Sequence, residues 1–150
     1  MEENRPNIDL LQSVLHNAQI GGSAINYILP EVKSDTLKTM ICNHQVELKD
    51  IEDKCKLLAK KNELEIKDNS CFKNAKMWMS VKMGAFIDDD TQHLAELLIM
   101  GHFFGIINMI KSIADARKAK PEILKLAQDL KELEEKHLNS LIPYLKRKSQ

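Results

Sequence analysis

A chain of 150 residues with 22 basic and 22 acidic side chains has no net charge, so it offers no electrostatic footprint for nucleic acid or an anionic membrane. Hydrophobic residues at 43% and charged residues at 29% are ordinary for a globular protein, and the length fits one domain with a real core. Five Gly and four Pro, set against many Leu, Ile, Lys, Glu and Ala, favour helix over strand.

The segment from Met1 to Pro6 is polar and acidic and does not read as a secretory leader. A first helix is expected from about Ile8 to Leu29. Leu11, Val14, Leu15, Ala18, Gly22, Ile25, Ile28 and Leu29 recur every three or four residues and make one apolar stripe. Pro30 ends it. His16 falls off that stripe and is expected at the surface. A second helix starts after Ser34, a good N-cap, and carries Leu37, Met40, Ile41, His44, Leu48, Ile51, Cys55 and Leu58 inward before fading near Lys61. The short linker makes these two helices antiparallel neighbours.

Residues 62–89 form the informative connection. Asn62 to Ser70 is polar and reads as loop, and a shorter helix is expected from about Cys71 to Phe86. Met77, Trp78, Met79 and Met83 suit adaptable packing of that helix on the rest of the domain. Asp88-Asp89-Asp90 lacks the alternating pattern and glycine of a calcium loop and reads as a helix-starting cap.

The third long helix, from about Asp90 to Arg117, is apolar nearly all round between Leu94 and Ile110. That stretch is shorter than the ~20 residues of a membrane span and contains Glu96, His102 and Asn108, so no membrane crossing is expected. Either this helix is central to the domain or it packs against a second copy. A homodimer through it is the preferred reading. Gly101 and Gly105, four apart, would admit another helix closely, as would Ala18 and Gly22 on the first helix. Pro121 opens a fourth helix to about Leu145, with Ile123, Leu126, Ala127, Leu130, Leu133, His137, Leu141 and Leu145 on its stripe. Lys146-Arg147-Lys148 complements its dipole. Cys42, Cys55 and Cys71 are odd in number and have no C-x-x-C spacing, which suits packed thiols in a reducing cytoplasm.

A plain up-down bundle has no need of residues 62–89. A bundle whose third helix runs parallel to its second does, because the chain must return to the other end. At ~1.5 Å rise per residue, His44 then lies about 18 Å down helix two. His102 falls about as far down helix three, and His137 on helix four arrives at the same level. Glu47 and Glu134 stand one turn from His44 and His137 on the same faces. Two imidazoles and two carboxylates suit zinc, iron or manganese. The alternative is a pair of hydrogen-bonded core histidines with glutamates on the solvated margin.

The stretch M-W-M-S-V-K-M through D-D-D-T-Q-H-L-A-E-L-L-I-M-G-H-F-F-G-I, Met77 to Ile106, resembles the ferritin-like superfamily, and the resemblance extends from about Leu10 to Leu145. It implies an antiparallel four-helix bundle with one long crossover. The iron-oxidising members place one Glu on each of two helices and Glu-x-x-His on each of the other two. Glu134-Glu135-Lys136-His137 matches Glu-x-x-His, and the resemblance makes Glu96 the lone Glu of helix three. His44-Gln45-Val46-Glu47 reverses the order, and helix one has no carboxylate between Leu10 and Leu29. The implied di-iron site is therefore degenerate. Two functions follow as expectations: a non-enzymatic bundle acting by self-association or partner binding, or a metal-binding or oxidative protein using His44, Glu47, Glu96, Glu134 and His137.

Overall fold

The computed structural model describes residues 2–68 and 91–146. The expected crossover helix, with its methionines, Trp78 and Cys71, lies outside the described residues, as do the Asp88–Asp90 cap and most of the basic tail. Among the described residues there are four long helices and no strand.

Helix α1 spans Arg5–Ile28. It begins three residues earlier than the apolar stripe suggests, because Pro6 fits a first turn, where its missing N–H is not needed. A short turn of 3-10 helix, Leu29–Glu31, contains Pro30 and leads into α2, Asp35–Lys61. The Ser34 side chain accepts from the Leu37 N–H at 3.3 Å, as expected of an N-cap. At its other end α2 closes in a paired set of reversed hydrogen bonds. The Leu64 N–H reaches the Ala59 carbonyl at 2.8 Å and the Glu63 N–H reaches Lys60 at 3.1 Å. Glu63 supplies the left-handed residue this closure needs, with φ 55°. Leu64 is buried behind it.

Helix α3 spans Thr91–Asp115 and α4 spans Pro121–Leu141. Helix α4 stops short of the expected Leu145. Pro143 has no N–H for the carbonyl of Asn139, and its ring would collide there, so Ile142–Leu145 tightens into a 3-10 turn. Between α3 and α4, Ala116 and Ala119 are buried, and the Lys120 N–H donates to the Asn7 side chain of α1 at 2.7 Å.

Side-chain bonds record how the helices lie on one another. Between α1 and α2, Gln45 donates to the Gly22 carbonyl and the Cys55 thiol to the Leu11 carbonyl. Between α1 and α3, Asn17 meets Asn108 and Ser13 meets Ser112. Tyr144, in the turn after α4, reaches Thr36 of α2, while Lys61 and the adjoining Asn62 at the end of α2 reach Glu122 of α4. Leu10, Leu11, Leu15, Ile25, Leu37, Ile41, Leu48, Met109, Ile123 and Leu130 fill the space between, all essentially inaccessible to water. Emptying one of these positions to alanine costs ~2–5 kcal/mol.

Helix α3 was expected either to be central or to pack on a second copy, and the described residues leave part of its apolar surface open. Leu94, Leu97, Leu98, His102, Gly105 and Met109 are buried, but Phe103, Phe104 and Ile110 are each at least half exposed. It is therefore not a central helix wrapped on every side. Its 25 described residues end two before the expected Arg117, and its mean hydropathy of 1.6 over 18 residues would suffice for a membrane crossing by length and composition alone. Within the chain the glycines face different surroundings. A Cβ at Gly105 would stand 3.3 Å from the Glu134 carboxylate, whereas one at Gly101 or Gly22 would meet nothing within 4 Å.

Candidate metal centre

Each of three helices turns one histidine inward at the same level. His44 on α2, His102 on α3 and His137 on α4 are 5%, 4% and 0% exposed, in a mostly aliphatic interior. The His44 and His137 rings stack, with centroids 3.7 Å apart and planes inclined by 14°. The His102 ring stands edge-on to both, at 6.0 Å and 5.3 Å. One ring nitrogen from each lies within 4.8 Å of the other two.

The hydrogen bonds divide each ring into an engaged and a bare nitrogen. His102 Nδ1 donates to Glu134 Oε2. His137 Nε2 donates to Glu47 Oε1 at 3.3 Å. His44 Nε2 lies 3.2 Å from Ser140 Oγ, whose single proton goes to the His137 carbonyl at 2.7 Å, so the hydroxyl accepts from the ring. The opposite nitrogens, His44 Nδ1, His102 Nε2 and His137 Nδ1, are buried without any hydrogen-bond partner. In the neutral tautomers these bonds select, all three bare nitrogens carry lone pairs. A buried polar atom left unpaired costs ~1–3 kcal/mol. A buried water or a cation would satisfy such a nitrogen.

Electrostatics keep two of the rings in the form a cation needs. Burial, then the neighbouring His102 and Lys136, pulls His44 down to about 4. Burial, then His44, His102 and Lys136, pulls His137 further, to about 2. Both are uncharged at neutral pH. The carboxylates surround the rings on the outside. Glu134 is buried at 3% exposure, in the space Gly105 leaves open. Glu47 sits at the margin, with Lys136 on its second oxygen at 3.2 Å. A carboxylate bonded to the far nitrogen of an imidazole fixes the ring's tautomer and raises its basicity, a usual arrangement around bound metals.

Of the residues singled out from the sequence, His44, Glu47, Glu134 and His137 come together here. Glu134 addresses His102 across the interface rather than its own neighbour in Glu-x-x-His. Glu96 does not join them. It is exposed, with its carboxylate 3.7 Å from His93 Nδ1, a surface pair of one turn. His102 completes the cluster, and sequence reasoning placed it at the right height without counting it as a ligand. Ser140 was missed; its only signal is a hydroxyl one turn beyond His137. His16 is half-buried, not exposed as its position off the stripe implied. Against protein-family models, curated proteins and solved structures, the chain has no match.

Proposed function

We propose that this protein binds one divalent transition metal through His44, His102 and His137, with zinc the best fit. The carrying observation is the set of three bare, buried imidazole nitrogens on three helices, each ring held from behind by Glu47, Glu134 or Ser140. Three imidazoles suit zinc, whereas manganese prefers more oxygen donors. Glu96 has no part in this site. A di-iron centre is disfavoured, because α1 brings no carboxylate to it between Leu10 and Leu29.

The same reading takes the fold as an antiparallel bundle of ferritin-like topology, with α2 and α3 running the same way. Supporting it, Lys67 pairs with Gln12 and Asp68 with Gln19, so the chain leaving α2 starts back along α1. A cytoplasmic setting suits the unpaired thiols of Cys42 and Cys55. Protein purified without an affinity tag should take up one zinc or cobalt ion per chain. His44→Ala, His102→Ala and His137→Ala should each weaken it by at least a hundredfold. Absence of saturable binding, or indifference to all three substitutions, refutes the proposal.

A second reading, self-association through α3, rests on the half-exposed Phe103, Phe104 and Ile110. Light scattering tests it: a dimer that Phe103→Glu with Phe104→Glu converts to monomer supports it, and an unmutated monomer at high concentration removes it.

A further inference from the structure

Beside the histidines, and sharing His102 with them, a cavity of about 250 Å³ opens between α1 and α3. Ile20, Ala24, Ile25, Leu97, Leu98 and Phe104 are among its walls, and His102 with Glu134 belong to its lining. The two helices leave this space because small residues face each other across it. Gly101 is exposed, with nothing within 4 Å of the place its Cβ would occupy, and Ala24 stands on the opposite helix, so the space reaches the surface.

The geometry points to a binding site for a small neutral amphiphile, an aliphatic or aromatic body of about ten non-hydrogen atoms with one hydroxyl. The size follows by proportion: an apolar cavity of about 150 Å³ admits benzene. The class follows from the lining. It is apolar except for Asn17, Asn108, His102 and Glu134, and it includes no lysine or arginine. Glu134 is the one acidic residue there, it is 3% exposed, and its carboxylate is met by His102 Nδ1. It repels an anionic head group and accepts a hydrogen bond from a neutral hydroxyl. His102 is 4% exposed and stands at the same wall, with its Nδ1 held by Glu134. This site does not depend on the metal proposal, though the two share His102 and Glu134.

Straight-chain primary alcohols from hexanol to undecanol test it, by calorimetry and saturation-transfer NMR on the unmutated, metal-free protein. Affinity should rise about fourfold per methylene and level off near nonanol, when the cavity is full. Octanoate should bind at least tenfold more weakly than octanol. Gly101→Leu, which fills the cavity from a position with open space, should weaken nonanol at least tenfold and leave zinc affinity within twofold. His44→Ala, which is not in the lining, should abolish zinc binding and leave nonanol within threefold. Ala24→Leu narrows the site from the other helix and serves if Gly101→Leu misfolds. If both misfold, magnetisation transfer from nonanol to the methyls of Ile25 and Leu97 decides. No alcohol binding at millimolar concentration, octanoate binding as well as octanol, or no contact with those methyls overturns the inference. Zinc binding lost without loss of nonanol would refute only the metal proposal.

Discussion

Replacing Glu134 by glutamine changes one atom of a buried side chain and should separate a metal site from a packed polar cluster. Glu134 is 3% exposed and accepts from His102 Nδ1. The amide oxygen of glutamine can accept the same bond, so shape and tautomer are kept and only the charge is lost. A charge-assisted bond is roughly twice as strong as a neutral one. Losing the carboxylate behind a ligating imidazole typically weakens metal binding 10- to 100-fold, or about 1.4–2.7 kcal/mol. The metal-free fold should respond the other way. A buried carboxylate is costly to desolvate, so Glu134→Gln should leave the metal-free melting temperature unchanged or raise it. Zinc affinity is read by competition with a chromophoric chelator, and stability by thermal unfolding in chelator. Glu96→Gln is the internal control. Its carboxylate is exposed and faces His93, so zinc affinity should stay within twofold. Unchanged zinc affinity in Glu134→Gln, or an equal loss in Glu96→Gln, refutes the reasoning.

Three further outcomes follow from the same geometry. In metal-free protein, the unfolded His44 ring takes its proton near 6.5 while the folded ring resists until about 4, and His137 resists further. The unfolded state therefore binds more protons in that window, and stability falls as pH drops below 6.5. His44 alone contributes up to about 1.4 kcal/mol per pH unit, or about 3 kcal/mol by pH 4. Urea midpoints at pH 7.5, 6 and 5 check this, and a flat profile contradicts it. Burial raises the Cys55 thiol to about 12, and the thiol donates to the Leu11 carbonyl at 3.1 Å. Iodoacetamide should leave Cys55 unmodified in folded protein and alkylate it in urea, as peptide mass spectrometry will show. Glu63→Gly should stabilise by about 0.5–1 kcal/mol, seen as a higher melting temperature, because glycine holds φ 55° without the Cβ clash.

The helices were legible because their signals are local. The apolar stripes of α1, α2 and α4, the Ser34 cap and Pro121 all act within a few residues of where they stand. The errors were local too: Pro6 belongs inside α1, and Pro143 outweighs the stripe that runs on to Leu145. The histidine level was also readable, since rise per residue carries height along a helix. Partner choice was not. Whether Glu134 serves His137 on its own helix or His102 across the interface depends on how α3 and α4 rotate about their axes. The missing side chain at Gly105 makes room for the latter. Glu96 drew attention through the ferritin-like pattern, yet it lies on the exposed side of α3. The exposure of Phe103 and Phe104 was hidden for a related reason. A helix apolar all round gives no stripe to say which side faces the core.

X-ray absorption at the zinc edge, on protein loaded with one equivalent of zinc, tests the central claim most directly. Three imidazole nitrogens at about 2.0–2.1 Å and one further light-atom ligand are expected, with one imidazole lost in His102→Ala. A shell of sulfur, a shell of oxygen alone, or an imidazole count indifferent to His102→Ala would contradict the account.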